Sequence, residues 1–207
     1  LDTSQPFFRD VSFILDRIRK GSSKSLIKEI RSESDKIERN KLKGCLPAVC
    51  FSGKFSKRND SSLIEHSGLI CLDFDGYDSY DMLLKEKQKL TEDRYVYSVF
   101  ISPSGMGLKV IVKIPPDENA HKNFFNSLKH YFDSKYFDDT SKNLSRVCYE
   151  SYDPAIWVNE QSSVFNQITE QEYQEVAKFK DRQTIPITDE NRTVEILMKW
   201  WTRKYGV

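Results

Sequence analysis

The spacing of apolar residues along the chain predicts interleaved helices and strands. Apolar positions recur every three or four residues near the start, which predicts one helix at 6–20 and a second at 23–43. The same spacing predicts helices at 78–90, 118–136, 169–180 and 194–201, and alternating or continuous apolar runs predict strands at 48–51, 68–75, 95–102, 108–114 and 145–151. Because the strands lack a regular strand–helix–strand rhythm, the pattern favours an α+β fold around a mostly antiparallel sheet.

Two aspartates interrupt the apolar strand at 68–75, within the run LICLDFDG. Side chains alternate along a strand, so Asp73 and Asp75 share a face, with Cα atoms about 6.6 Å apart. Aspartate is depleted in strands, and two on one face indicate a functional site. Carboxylates so placed can hold one or two Mg²⁺ or Mn²⁺ ions. The alternative is a strand end whose acids face water.

A loop of small residues, SPSGMGLK at 102–109, joins the strands predicted at 95–102 and 108–114. Gly105 and Gly107 let backbone N–H groups approach phosphate oxygens, and the hydroxyls of Ser102 and Ser104 add donors. Lys109 leaves the loop on the polar face of its strand, where its charge can reach a triphosphate. The alternative is an ordinary hairpin turn with a solvent-facing lysine.

An acidic turn and an arginine complete the candidate chemistry. Phe137-Asp138 follows the helix at 118–136, and Asp138 is a candidate third metal ligand. Asp139 comes next in the chain, so either aspartate can fill this role. Arg146, eight positions after Asp138, can grip a phosphate with two parallel hydrogen bonds. A solvated turn and a structural ion pair are the alternatives.

Size and charge bound the class of protein. The 207 residues suit one large domain, predicted at 1–180, followed at 181–207 by a linker and the first helix of a truncated further domain. The net charge of +1 gives no global signal for nucleic acid, but 36–58 holds seven basic residues and one acid. Lys54 and Arg58, within that stretch, are weaker candidates for phosphate or template contacts. No apolar run is long enough to span a bilayer, which predicts a cytoplasmic protein.

The four cysteines show no C-x-x-C spacing. Cys71 and Cys148 lie in apolar strand-like runs, so reduced core thiols are expected. A zinc site built from Cys45, Cys50 and His66 is the alternative, and no structural zinc is expected.

The order of these elements is that of a two-metal nucleotidyl-transfer site: an acidic strand, a glycine loop leading to a basic strand, then an acid and an arginine. The chain resembles the archaeo-eukaryotic primase superfamily, the primase–polymerases. It is most similar to the branch found in mobile elements, phages and CRISPR-associated loci, whose members resemble virulence-associated-E-like N-terminal domains. The stretches that carry the resemblance are LPAVCFSGKFSKR at 46–58, HSGLICLDFDG at 66–76, ISPSGMGLKVIVKI at 101–114 and FDDTSKNLSRVCYESYDP at 137–154.

The resemblance implies an RRM-like sheet joined to a second small α/β unit, with the active site between them. It implies metal ligation by Asp73, Asp75 and Asp138, and places Lys109 where the superfamily typically has a nucleotide-contacting histidine. Mg²⁺ or Mn²⁺ would be the cofactor, and an NTP or dNTP and a single-stranded DNA template the ligands. A helicase or a C-terminal priming domain would be a further partner, in a bacterial cell or a phage-infected host.

Two rival functions fit parts of the sequence. LICLDFDG also resembles the nucleophile strand of haloacid-dehalogenase-like phosphohydrolases, in which Asp73 would be phosphorylated and Asp75 would act as acid and base. Tyr77 departs from that family, which usually has a small or hydroxylated residue there. The second rival is an RRM-like module that binds single strands through lysines and aromatic residues without catalysis.

Overall fold

This computed structural model describes residues 6–168 of the chain. Five α-helices and eight strands lie within that range. The helices are α1 (Val11–Lys20), α2 (Lys24–Ser32), α3 (Lys36–Gly44), α4 (Tyr80–Thr91) and α5 (His121–Phe132). The strands are β1 (Ala48–Val49), β2 (Gly53–Phe55), β3 (Leu63–His66), β4 (Leu69–Asp75), β5 (Val96–Ile101), β6 (Gly107–Lys113), β7 (Cys148–Tyr149) and β8 (Trp157–Val158). Every strand pairing among them is antiparallel, so the predicted α+β class with antiparallel sheets is confirmed.

The main sheet has the strand order β4-β6-β5-β8, and β4 pairs with β6 along its whole length. Strand alternation gives this sheet two apolar faces. One face carries Leu72 and Phe74, which pack with the buried side of α4 and α5. The other face carries Cys71 and Ile111, which pack with α1 around Leu15. Both faces of the sheet are therefore covered.

Smaller elements surround the second face of the main sheet. Strands β1 and β7 pair with each other, and Cys148 of β7 joins the same core as Cys71. Both thiols are buried and free, as the apolar surroundings in the sequence predict. Strands β2 and β3 form a separate hairpin in which Gly53 lies opposite His66.

The prediction of a single helix at 23–43 is wrong, because the structure has two helices there. Glu33 and Asp35 have extended backbones, with ψ of 121° and 124°, which end α2 and start α3. The Asp35 carboxylate caps α3 by accepting hydrogen bonds from the backbone N–H groups of Ile37 and Glu38. Ile37, expected on the apolar face, is 67% exposed. A local cap thus overrides the apolar periodicity.

Other predicted boundaries shift where side chains or backbone geometry intervene. The helix predicted at 118–136 ends at Phe132, because Asp133 adopts a left-handed φ of 40°. Strands β2, β3 and β8 have no counterpart among the predicted strands. The helices predicted at 169–180 and 194–201, and the domain boundary at 180, lie outside the described residues. No described helix has both the length and the apolar character needed to cross a membrane.

A buried ion pair ties α4 to the chain that leads into β8. The Lys87 ammonium donates hydrogen bonds to Asp153 Oδ2 at 2.7 Å and to the Ala155 carbonyl at 2.8 Å. Asp153 Oδ2 also accepts a 2.9 Å hydrogen bond from the Ile101 N–H at the end of β5. The carboxylate therefore joins a helix, a strand and a loop beside the core.

We expect Lys87→Ala to lower the free energy of unfolding by about 3–5 kcal/mol, because the change leaves Asp153 buried without its cation. Lys85→Ala, at an exposed position of the same helix, is the matched control and should change it by less than about 0.5 kcal/mol. Urea denaturation measures both values. Equal small effects of the two substitutions would contradict this role for the pair.

Candidate active site

The pairing of β4 with β6 fixes the first half of the site. Asp73 lies opposite Lys109 and Asp75 lies opposite Gly107. The Lys109 ammonium is 2.5 Å from Asp73 Oδ1, and the side chains of both residues are largely buried. The two predicted aspartates therefore share a face, as strand alternation requires, and Asp75 stands at the exposed end of the strand.

The chain after α5 brings the third carboxylate alongside β4. Phe137 forms an isolated antiparallel bridge with Phe74, and Asp138 N donates a 2.8 Å hydrogen bond to the Asp73 carbonyl. One carboxylate oxygen each from Asp73, Asp75 and Asp138 lies within 4.8 Å of the others. Asp139 instead pairs with Lys129 at 2.9 Å. The structure thus brings Asp138, rather than Asp139, into the aspartate cluster (Asp73, Asp75, Asp138).

Arg146 lies next to two aspartates of the cluster. Its Nη2 donates a hydrogen bond to Asp73 Oδ2 at 2.8 Å and lies 3.7 Å from Asp138 Oδ2. Its Nε is buried and has no hydrogen-bond partner within the part of the chain that the structure describes. A buried donor without a partner is costly, so this N–H is available to a ligand oxygen.

Two hydroxyl residues that the sequence reasoning missed orient Asp138. Thr140 donates from its N–H at 3.0 Å and from its hydroxyl at 2.7 Å to Asp138 Oδ1. The Ser141 hydroxyl donates to Asp138 Oδ2 at 2.9 Å. An Asp-x-Thr-Ser sequence after a helix is a common turn, so only the tertiary position of Asp138 gives these contacts a role.

The protonation equilibria of the site differ from residue to residue. Burial raises the pKa of the Asp75 carboxyl, Lys109 opposes that rise, and the neighbouring carboxylates of Asp73 and Asp138 add to it. Asp75 is exposed as a whole residue, so the burial concerns its carboxyl group, which faces the cluster. Burial also acts to raise the pKa of Asp138, but hydrogen bonds from Thr140 hold it below its usual value. Of these two carboxyl groups, Asp75 is therefore the one that takes up a proton first as the pH falls.

The basic groups are held in their charged forms. Burial alone would lower the pKa of Lys109, but the Asp73 carboxylate raises it well above its usual range. Burial also acts to lower the pKa of Arg146, but the hydrogen bond and charge of Asp73, together with the charge of Asp138, raise it above its usual value. The site thus combines three carboxylates with two permanent cations.

The loop at 102–107 forms a tight turn beside the cluster. Ser102 N donates to the Gly107 carbonyl at 2.8 Å, and Gly105 N donates to the Ser102 carbonyl at 3.0 Å. Gly105 has a φ of +82°, a conformation that favours glycine. The hydroxyls of Ser102 and Ser104 lie 3.1 Å apart. The predicted turn is therefore present, and its hydroxyl groups are adjacent.

An arginine that carries no sequence signal braces this loop. Arg31 of α2 donates from Nη2 to the Ser102 carbonyl at 3.2 Å and from Nε to the Pro103 carbonyl at 3.3 Å. The same Nη2 reaches the Tyr152 carbonyl at 2.9 Å. Arg31 looks like any polar position of an amphipathic helix, so only the tertiary structure shows this contact.

Among the described residues, no hydrogen bond or ion pair joins the remaining candidates to the cluster. Lys54 pairs across the β2–β3 hairpin with Glu65 at 2.6 Å, and Arg58 is exposed in the loop that follows β2. His66 Nε2 lies 3.0 Å from His121 Nδ1. Within the described residues, the aspartate cluster is the group of three or more potential ligands that converges at metal-binding distances. The zinc alternative through Cys45, Cys50 and His66 therefore has no support from the geometry.

The aspartate cluster suits a hard divalent cation. In octahedral coordination at about 2.1 Å, oxygen ligands are about 3.0 Å apart when adjacent and about 4.2 Å apart when opposite, so the three carboxylates would move closer together around one ion. All the ligand atoms are carboxylate oxygens, which Mg²⁺ and Mn²⁺ prefer. Lys109 and Arg146 each contact one oxygen of Asp73, and each oxygen keeps a second lone pair that a bound ion can use.

Fold and site together define an α+β protein with a candidate carboxylate metal centre at the end of an antiparallel strand pair. Residues 41–157 match the model of a family described as BT4734-like, N-terminal domain. This match covers more than half of the chain, so the chain belongs to that family. The matched stretch contains the whole aspartate cluster together with Lys109 and Arg146. Searches of curated proteins and of solved structures found no match.

Gly107 lies so close to Asp75 that any side chain there would meet the carboxylate. A Cβ atom at Gly107 would contact Asp75 Oδ1 and would come within 3.0 Å of the Phe74 carbonyl. We expect Gly107→Ala to displace the Asp75 side chain and to destabilise the fold by about 1–3 kcal/mol.

Gly44→Ala is the matched control, because a Cβ atom there would have no neighbour within 4 Å. It should leave stability unchanged or raise it by up to about 1 kcal/mol. Urea denaturation and a crystal structure of Gly107→Ala test the expectation. An unmoved Asp75 with unchanged stability would contradict it.

Proposed function

We propose that this chain is the catalytic core of a metal-dependent DNA primase–polymerase. It would transfer a nucleotide from an NTP or dNTP to a primer or initiating nucleotide on a single-stranded template, with release of pyrophosphate. The observation that carries this proposal is the convergence of three carboxylates, Lys109, Arg146 and the small-residue loop at one end of the β4–β6 pair.

Each part has a role in nucleotidyl transfer. Asp73, Asp75 and Asp138 would hold Mg²⁺ or Mn²⁺, which activates a 3′-hydroxyl and neutralises charge on the triphosphate. Once a cation neutralises Asp73, Lys109 and Arg146 are free to turn towards phosphate oxygens. The unpartnered Arg146 Nε already provides one donor for them.

The loop would bind the same phosphates from the opposite side. The hydroxyls of Ser102 and Ser104 are adjacent. Gly105 lies against the Arg31 side chain and Gly107 against the Asp75 carboxylate, so the two glycines let the loop pack closely against the site. Arg31 holds two loop carbonyls and so keeps the turn rigid before a nucleotide arrives. Rigid donors lower the entropic cost of positioning a substrate.

The order of elements supports the proposal. Strand β4, helix α4, strands β5 and β6 and helix α5 follow each other, and the segment around Phe137 then pairs with β4. With β6 between β4 and β5, this is the arrangement of a split β-α-β unit, the basis of an RRM-like sheet. In a primase–polymerase core, the site would lie between this sheet and the β1–β7 pair. The position of Arg146, just before β7, fits that arrangement.

Both rival functions fit the geometry less well. An aspartyl nucleophile must be reached directly by the phosphorus atom of its substrate, but Asp73 is only 3% exposed. Tyr77, at the departure from the phosphohydrolase pattern, is buried and stacks on Tyr136 with ring centroids 4.1 Å apart. An RRM-type binding surface needs aromatic residues on an open sheet, whereas Phe100 and Tyr97 are buried under α1.

Primer extension on a single-stranded template tests the proposal directly. With Mg²⁺ or Mn²⁺ present, Asp73→Asn should reduce extension by at least about 10³-fold, because it removes a metal ligand without changing the side-chain volume. Asp139→Asn is the matched control, since Asp139 is the next residue after Asp138 and pairs with Lys129 outside the cluster. Its activity should stay within a factor of two of the unaltered chain.

Extension that survives Asp73→Asn, or that is lost equally in Asp139→Asn, would contradict the site. A parallel reaction without primer separates priming from extension. The phosphohydrolase function would instead be established if the unaltered chain shows no polymerisation but hydrolyses a simple phosphate monoester, and if Asp73→Asn loses that hydrolysis.

A further inference from the structure

Helix α3 presents three basic side chains along one face. Lys36, Arg39 and Lys43 are spaced by three and four residues, so they follow each other along the helix; we refer to them as the basic ladder. Lys41 lies outside this row and pairs with Glu38 at 2.6 Å. Lys41 is therefore paired with an acid, whereas the three residues of the ladder form a separate row of cations.

The basic ladder ends at the aspartate cluster. Lys43 is half-buried, and its charge interacts with those of Asp75 and Lys109 as well as with the two other members of the ladder. Helix α3 directly follows α2, whose Arg31 contacts the small-residue loop of the site. The Lys43 end of α3 thus faces the candidate active site, and the Lys36 end extends away from it.

The ladder cations have no carboxylate within ion-pair distance in the described part of the chain. Arg39 donates one hydrogen bond, to the Glu33 carbonyl at 3.1 Å, and keeps its remaining donors. Burial lowers the pKa of Lys43, and the charge of Arg39 lowers it further. Three like charges in a row repel one another, so an anion that spans them would be stabilised.

We propose that the basic ladder binds the phosphate backbone of a single nucleic-acid strand and leads that strand to the aspartate cluster. The seven helical steps from Lys36 to Lys43 cover about 10.5 Å, which matches about three nucleotide steps of about 3.4 Å each, or four successive phosphates. A triphosphate would instead contact Lys109, Arg146 and the small-residue loop, which lie at the cluster itself. The inference deepens the proposed function, on which it rests for the role of the bound strand.

Binding of a fluorescein-labelled single-stranded 20-mer, followed by anisotropy from 50 to 200 mM salt, tests the ladder. The buffer contains EDTA and no nucleotide, so the measurement does not depend on catalysis. Each lost phosphate contact should reduce the slope of log K against log salt concentration by about 0.7. Lys36→Gln/Arg39→Gln/Lys43→Gln should therefore reduce it by about 2, and Lys43→Gln alone by about 0.7.

Lys41→Gln is the matched control, because it removes the same charge from the same helix outside the ladder. Its slope should equal that of the unaltered chain. Thermal unfolding of each variant confirms that α3 remains folded. An unchanged slope in the folded triple variant, or an equal reduction in Lys41→Gln, would overturn the proposal.

A second experiment distinguishes binding of the nucleic-acid strand from binding of the nucleotide. Calorimetric titration with ATP and Mg²⁺ should give the same affinity for Lys36→Gln/Arg39→Gln, which leaves Lys43 beside the cluster in place, and for the unaltered chain. Loss of ATP binding with retained oligonucleotide binding would overturn the ladder as a strand site. A slope that falls as expected in a protein that shows no extension would uphold the ladder while rejecting the proposed polymerase.

Discussion

The ion pair between Asp73 and Lys109 is the interaction on which the site depends. A carboxylate that is 3% exposed needs a compensating charge, and the antiparallel register places the ammonium directly opposite it. A slip of one residue in β4 would turn Asp73 into the apolar layer that now holds Phe74. The apolar face under α4 and α5 therefore fixes the register, and the register fixes the chemistry.

Other charges in the region arrange themselves around this pair. Arg146 takes the second oxygen of Asp73, and the segment that pairs with β4 brings Asp138 within reach of the same guanidinium. Without a metal ion, the two cations partly compensate three carboxylates. With a divalent ion bound, Lys109 and Arg146 become surplus positive charge beside the cluster. Such a reversal suits a phosphorylated substrate that arrives together with its metal.

The sequence allowed prediction of what local geometry determines. Strand alternation placed Asp73 and Asp75 on one face, and two glycines located the turn that precedes Lys109. Tertiary contacts determine the rest. The cap at Asp35 divides a continuous apolar pattern into α2 and α3, and the brace from Arg31 depends on how α2 packs. The β2–β3 hairpin escaped prediction because its strands have only three and four residues, too few to carry a period-two signal.

The most direct measurement of the central claim is Mn²⁺ binding followed by electron paramagnetic resonance, with and without a nucleoside triphosphate. Asp75→Asn is the informative variant, because it removes one ligand and leaves the Asp73–Lys109 pair in place. The account predicts that the unaltered chain and Asp139→Asn bind Mn²⁺ equally and that Asp75→Asn binds at least about 10-fold more weakly. Equal binding by all three proteins, or no binding by the unaltered chain even with triphosphate, would contradict a metal site at the aspartate cluster.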